Sequence, residues 1–432
     1  MSTPTKALPV AVIGAGPVGL AAAAQLASRG MDFLLLEAGD EVAASIRQWS
    51  HVRLFSPWRY DTDLAARALL QPTGWTAPDP DRLPTGSELI ADYLTPLAAH
   101  PAIAPHLRLR APVTAITRQG FDKVRTAGRE DAPFLLRLAD GSDILARAVI
   151  DASGTWRTPN PLGGNGIAAH GEADARHAGR VFDGMPDVLG TLRGAFAGRT
   201  VAVVGAGHSA TGTLLALAEL DTTIHWLLRA TDPTRAYGGG DNDALPARGA
   251  IGTRVRALAD TNRITVHSGF FVHEITEQAI VATDGRKIDA DVIVNATGAR
   301  PDFTLAAELR LDLDPILGAT RALAPLIDPN QHSCGTVPPH GVDELAHPEA
   351  GFYAIGAKSY GRAPTFLLAT GYEQARSVVA ALAGNWDEAR DVRLELPQTG
   401  VCSSGLATGV GGGLLSLPLI QVGQTSGGAC CG

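Results

Sequence analysis

Cysteine is scarce in this 432-residue chain: Cys334, Cys402, Cys430 and Cys431 are all it has, and none lies in the first three quarters of the sequence. A disulfide framework is thereby excluded, and a reduced, cytoplasmic protein is expected. Also missing, anywhere ahead of Cys334, is a C-x-x-C or C-x4-C pair through which a thiol-disulfide reductase could pass electrons. Excess positive charge is lacking as well. Lys and Arg number 36 against 44 Asp and Glu, a net charge of −8, so no nucleic-acid partner is expected. The one basic and aromatic cluster, Trp49, His51, Arg53, Phe55, Trp58, Arg59 and Tyr60, adjoins Asp61 and Asp63 and reads as pocket lining. No cationic segment beyond Lys6 precedes the apolar stretch Leu8 to Ala27, which is roughly as long as a membrane span. Pro17 and three glycines interrupt that stretch, so neither an anchor nor a signal peptide is expected. With 45% apolar and 19% charged residues, the composition suits a soluble globular enzyme of two or three domains.

What the chain does have is two glycine-rich turns, G-A-G-P-V-G at Gly14 to Gly19 and G-A-G-H-S-A at Gly205 to Ala210. Each follows a short apolar run, Val10 to Ile13 and Val201 to Val204, and each opens a small-residue helix. A dinucleotide pyrophosphate needs a tight turn, backbone it can approach closely, and a helix N-terminus aimed at its charge. Gly14, Gly16, Pro17 and Gly19 fit the first site, and Gly205, Gly207, His208, Ser209 and Ala210 the second. A second apolar run, Phe33 to Leu36, ends in Glu37 and Ala38, where a carboxylate for the ribose belongs. The matching run Ile224 to Leu228 ends instead in Arg229, which suits the 2′-phosphate of NADPH; Arg235 could share that role. Two dinucleotides in one chain imply electron transfer between them.

Further along, Val149 to Thr155 and Val292 to Gly298 echo each other, each a buried strand closing on small residues, A-S-G-T and A-T-G-A. Ser153, Gly154, Thr297 and Gly298 are therefore placed beside the two nucleotides. Another buried strand, Gly351 to Gly356, precedes a helix from about Pro364 to Leu382 and returns the chain to its first unit. The expected fold is α/β, with two Rossmann-like, doubly wound domains. Residues 1–178 and 300–396 form an FAD unit, and 179–299 an NADPH unit inserted within it. From 397 to 432 the chain is glycine-rich and uncharged, and a flexible tail is expected.

These residues, with Glu373-Gln374-Ala375-Arg376, make the chain resemble the flavin-containing, class B monooxygenases and their relatives among two-dinucleotide-binding flavoproteins, over roughly residues 8 to 390. The resemblance implies FAD at the first turn and NADPH at the second, with Trp49 and Gly356 lining the flavin site. Two departures stand out. Phe182 and Gly184 match the signature before the second turn, yet Val188 occupies its histidine position. The family also places an Asn or Asp beside the flavin, in a segment similar to His51 to Trp58, and here that position falls on Phe55, with Arg53 matching the arginine of the Baeyer-Villiger branch. Arg53 and Phe55 are the candidate catalytic-pocket residues.

The activity implied is an NADPH-dependent FAD monooxygenase that uses molecular oxygen on a small soft nucleophile, a sulfur, nitrogen or trivalent arsenic centre. A flavin reductase passing electrons to a metal, thiol or quinone is an alternative, and the Phe55 and Val188 departures keep a slow-turnover redox sensor open as well. No resident metal is expected. Cys430-Cys431 is a weak candidate for a soft ion, since thiolates favour such ions over hard cations, and His332 and Cys334 with His340 lack an evident further ligand. The oligomeric state is open, a homodimer included.

Overall fold

A computed structural model describes residues 8–240, 243, 245–331, 337–364 and 366–393. In chain order its strands begin with β1 (Val10–Ile13), β2 (Phe33–Leu36) and β3 (Leu107–Arg108). An excursion follows through β4 (Val113–Arg118), β5 (Phe134–Leu138) and β6 (Asp143–Ala146), closed by β7 (Ala148–Asp151). The next unit holds β8 (Val181–Asp183), β9 (Thr200–Val204), β10 (Thr223–Leu227), β11 (Thr265–His267), β12 (Val272–Ile275), β13 (Ala279–Ala282), β14 (Lys287–Asp289) and β15 (Val292–Asn295). Last comes β16 (Phe352–Ala354).

Two parallel sheets result, ordered β16-β7-β1-β2-β3 and β11-β10-β9-β15-β8, each with a three-stranded antiparallel sheet beside it, β4-β5-β6 and β12-β13-β14. The strand before each glycine turn, β1 or β9, is central. On one side it pairs with the strand that ends in Glu37 or precedes Arg229, and on the other with the strand that ends in small residues. That reversal of direction makes the topological switch point at which open α/β sheets bind ligands. β16 pairs in parallel with β7, so the chain leaves the first sheet at Asp151, builds the second, and returns. The second Rossmann-like domain is inserted in the first.

Continuous apolar runs form these central strands because both faces are covered. Along β1, Val10 and Val12 join a core with the helices Pro17–Ser28 and Leu368–Leu382, while Ala11 and Ile13 face Phe134, Leu136 and Ile144 of the excursion. The second unit repeats the division. Val201 and Val203 pack with Leu214 and Trp226, and Ala202 and Val204 with Val272 and Ile280. Alternate residues point to opposite faces of a strand, so each four-residue run serves two cores.

One buried charge cluster ties the return segment to the excursion: Glu349 accepts from Arg118 at 2.8 Å and from Arg129 at 2.9 Å, all three side chains being buried. Removing one member of such a cluster costs about 3–5 kcal/mol, because it strands a charge. A second buried site is less well satisfied. Asp61 is fully buried, with one carboxyl oxygen accepting from the Ser56 hydroxyl at 2.8 Å and the other without a partner among the described residues. Burial pushes its pKa up to about 7 against the opposing Ser56 bond, and pushes that of nearby Asp63 to about 6.

The folded protein therefore holds protons at these two carboxyls that the unfolded chain has already released, and their contribution to stability falls as pH rises from about 4 towards 7. Asp61→Asn should match the parent at about pH 4 and exceed it by on the order of 2–4 kcal/mol near pH 8, since each tenfold change in acid strength is worth about 1.4 kcal/mol. Denaturant midpoints at the two pH values test this. Equal stabilities at the higher value would show that the fold does not hold a proton on Asp61.

Candidate functional site

At the first turn two backbones meet without room for a side chain. Gly14 has φ +94°, and a Cβ there would stand 2.8 Å from the Ala152 carbonyl oxygen and 3.0 Å from Ser153 Cα. Gly16 then caps the helix Pro17–Ser28, with Pro17 preset for its first position. No atom lies within 4 Å of where a Gly16 side chain would begin, so that face is open towards the unpaired amides of the helix N-terminus. Glu37, buried at the end of β2, accepts from the Ala15 amide at 2.7 Å and the Gly39 amide at 2.8 Å, bracing the turn. Its carboxylate has lone pairs left for a ribose hydroxyl. Half-buried Ala38 follows it.

The second turn repeats this geometry. Gly205 has φ +135°, and a side chain there would run into the Ala296 carbonyl, while Gly207 caps the helix His208–Leu217 with open space in front of it. Ala210 takes the third-glycine position and buries its methyl completely. The Thr297 hydroxyl donates to Asn295 Oδ1 at 2.7 Å, and Gly298 at φ +87° turns the chain away. Arg229 is exposed, with no side-chain partner among the described residues, whereas Arg235 reaches the Pro329 carbonyl at 3.5 Å. Val188, where the resemblance anticipates histidine, is buried in this unit's core.

Among the contacts between the units, two involve aromatic side chains near the turns. The Phe55 ring lies 4.9 Å from the His208 ring, at the mouth of the second turn, and 5.9 Å from the Arg248 guanidinium. Arg248 is held by both oxygens of Asp243 at 2.7 Å. Desolvation keeps the His208 pKa below the usual histidine value; the Arg248 charge adds to this and Asp243 opposes it. The Trp156 indole donates to Gln48 at 2.8 Å, lies 6.5 Å from Trp49, and packs on Gly184. Phe55, Trp49, Trp156 and His208 thus gather where the two units meet. Arg53 is directed elsewhere: its exposed guanidinium donates to the Leu83 carbonyl at 2.6 Å and lies 3.9 Å from Glu88.

On the return segment Gly356 has φ +72°, and its amide donates to Gln374 at 2.8 Å. That is the work of the E-Q-A-R element. Gln374 also meets one ring nitrogen of buried His340 at 3.1 Å, and the other nitrogen lies 3.1 Å from the Pro338 carbonyl. His340 is therefore not free to bind a metal. His332 and all four cysteines, Cys430 and Cys431 included, lie outside the described residues, among which no cluster suited to a metal occurs. Sequence reasoning missed Trp156, the Asp243–Arg248 pair, and the buried ion pair Asp151–Lys358. A lysine four residues past the apolar strand Phe352–Ala354 was the available signal for the last.

A family model described as pyridine nucleotide-disulphide oxidoreductase matches residues 11–316. The chain belongs to that family. Members of this pyridine nucleotide-disulphide oxidoreductase family are flavoprotein oxidoreductases, and the solved structures similar to this chain include enzymes named as reductases and as monooxygenases. Bacillithiol disulfide reductase Bdr (YpdA) from Bacillus cereus is 19% identical, with a TM-score of 0.64 over 88% of this chain and 99% of that one. A flavin-containing monooxygenase from Stenotrophomonas maltophilia is also 19% identical, with a TM-score of 0.54 over 88% of this chain and 98% of that one. Identities this low show the fold alone. Indole-3-pyruvate monooxygenase YUCCA1 of Oryza sativa subsp. japonica is 30% identical over 200 residues, which are 46% of this chain. The match spans 42% of that relative's length. No helix among the described residues is long and apolar enough to cross a membrane.

The open face at Gly16 separates cofactor binding from folding. Gly16→Val has space for its side chain in the free protein but occupies the path to the helix N-terminus. It should keep the parent's thermal midpoint in the flavin-free state and purify colourless. A full complement of flavin in that variant would mean that the first turn is not the binding site.

Proposed function

We propose that this flavoprotein is an NADPH-dependent FAD monooxygenase acting on a small soft nucleophile, a sulfur, nitrogen or trivalent arsenic centre. The observation that carries the reading is the pairing of two glycine turns, each with an open helix N-terminus, across a junction where Phe55 of one unit meets His208 of the other. In this reading residues 1–178 and 300–396 hold FAD, through Gly14, Gly16, Pro17, Gly19, Glu37, Ala38, Trp49, Ser153, Gly154 and Gly356. Residues 179–299 hold NADPH, through Gly205, Gly207, His208, Ser209, Ala210, Arg229, Thr297 and Gly298.

Bound FAD would supply the redox chemistry, taking two electrons from NADPH and delivering them to dioxygen, of which one atom goes to the substrate and the other leaves as water. The chain's part is to bind, orient and shield. The turn amides neutralise the pyrophosphates, Glu37 is placed for a ribose hydroxyl, and Phe55 with Trp49 and Trp156 keeps water from the junction. The YUCCA1 likeness supports the oxygenase branch, as does the absence of a C-x-x-C or C-x4-C pair anywhere in the sequence. The fold shared with bacillithiol disulfide reductase keeps a reductase as the second reading. Scarce, late cysteines and the lack of a membrane-crossing helix among the described residues support a cytoplasmic setting.

NADPH oxidation by the FAD-loaded protein, followed with and without oxygen, decides between these readings. Substrate-dependent oxygen uptake equal to NADPH consumption supports the monooxygenase; anaerobic turnover with an added disulfide, quinone or metal ion, at the aerobic rate, would overturn it.

Arg229 tests the choice of nucleotide. Its free guanidinium can meet a 2′-phosphate with charge-assisted hydrogen bonds, each contributing about 1.5–3 kcal/mol. Arg229→Ala should weaken NADPH by about 10- to 100-fold in steady-state kinetics and leave NADH nearly unchanged. Equal losses for both nucleotides, or none, would mean that Arg229 does not read the phosphate.

A further inference from the structure

Lys358 is the one buried lysine among the described residues, and it is buried with a single carboxylate. Its ammonium donates to Asp151 Oδ2 at 2.6 Å and to Ser153 Oγ at 3.1 Å, and the Ser153 hydroxyl donates to Asp151 Oδ1 at 2.6 Å. Side-chain exposure is 1% for Lys358 and 0% for Asp151. The Phe303 ring covers the ammonium, 5.0 Å from its centroid. Asp151 ends β7, in register with Ile13 just before the first glycine turn and with Ala354 at the end of β16. Lys358 stands two residues past Gly356, which rests on Val18 of the first fingerprint helix. The pair therefore sits at the carboxyl edge of the first sheet, one residue from the Ala152 carbonyl that presses on Gly14.

As a fastener this pair is poorly chosen. Desolvating two charges offsets most of their attraction, and an apolar pair of the same volume would hold β7 and the return segment at least as well. What an apolar pair cannot supply is a fixed field at the edge where such sheets bind their ligands. We propose that Asp151 and Lys358 set the electron affinity of the flavin at the first turn, through opposite charges balanced against each other. The inference rests on FAD occupying that turn. In the step concerned NADPH gives up two electrons and one proton and becomes NADP+; the flavin gains them, and with them one unit of negative charge. A nearby uncompensated cation favours that gain and an uncompensated anion opposes it, strongly where water is excluded.

The test is the flavin midpoint potential of Lys358→Met, Asp151→Asn and the double variant, each against the parent protein at the same pH. Lys358→Met is read on the alkaline side of neutrality and Asp151→Asn on the acid side, so that the stranded group keeps its charge. Lys358→Met should lower the equilibrium constant for reduction at least tenfold and Asp151→Asn should raise it at least tenfold, about 30 mV each way for a two-electron couple. The double variant should lie between them, near the parent. Both single variants break the same contacts, so a purely structural role predicts shifts of the same sign or none, and either result overturns the proposal. If one single variant does not fold, the sign of the other decides. Loss of both with a normally folded double variant would show a structural lock and overturn the proposal as well. A parent protein that takes up no FAD would refute the FAD reading itself, an outcome distinct from all of these.

Discussion

Backbone pressed on backbone, with no room for a side chain, is the constraint from which the rest of this structure follows. Gly14 against Ala152 and Gly205 against Ala296 bring the end of a central strand up to the end of its neighbour. That approach leaves the next helix pointing its unpaired amides across the carboxyl edge of the sheet. It also explains why the flanking strands close on small residues, A-S-G and A-T-G, since a larger side chain would hold the turn away. The two sites are alike because the same packing problem is solved twice.

The insertion of one unit in the other gives those sites their relation. The chain leaves β7 at Asp151 and returns through β16 to the same strand, so the first dinucleotide turn is bracketed by segments about 200 residues apart in sequence. Gly356, Gln374 and Lys358 all arrive on the returning segment. The junction between units is aromatic on the first side and cationic on the second, with Phe55 facing His208 and Arg248. Such a junction leaves the space in front of the helix N-termini at Gly16 and Gly207 open.

Buried charge is used in distinct ways. Glu349 is fully occupied by two arginines and holds the return segment to the excursion. Asp61 keeps one oxygen unpaired, and its raised pKa records how little its surroundings do to stabilise a charge. Asp151 and Lys358 are matched to each other at the carboxyl edge of the first sheet. The first kind fastens two segments together, whereas the last places two opposite charges beside the first glycine turn.

Local chemistry and periodicity were enough to identify the elements that form these sites. Glycine spacing, four-residue apolar runs and the echo of A-S-G-T in A-T-G-A gave both dinucleotide units, their order and the inserted topology, because each feature answers a requirement acting within a few residues. The short helix Gly86–Leu89 has the same local origin, its capping box being a contact between Thr85 and Glu88. Long-range contacts were not. Arg53 and Phe55 are two residues apart, yet one turns to the Leu83 carbonyl and the other to His208, and no local rule separates them. Val188, in a histidine position by spacing, proved to be core, and His340 was taken up by Gln374 and Pro338. The sequence alone determined where the two glycine turns and their helix ends lie, since turns and helix ends are local; which side chains meet above them was decided by tertiary structure, since their partners come from segments joined only when the sheet closes.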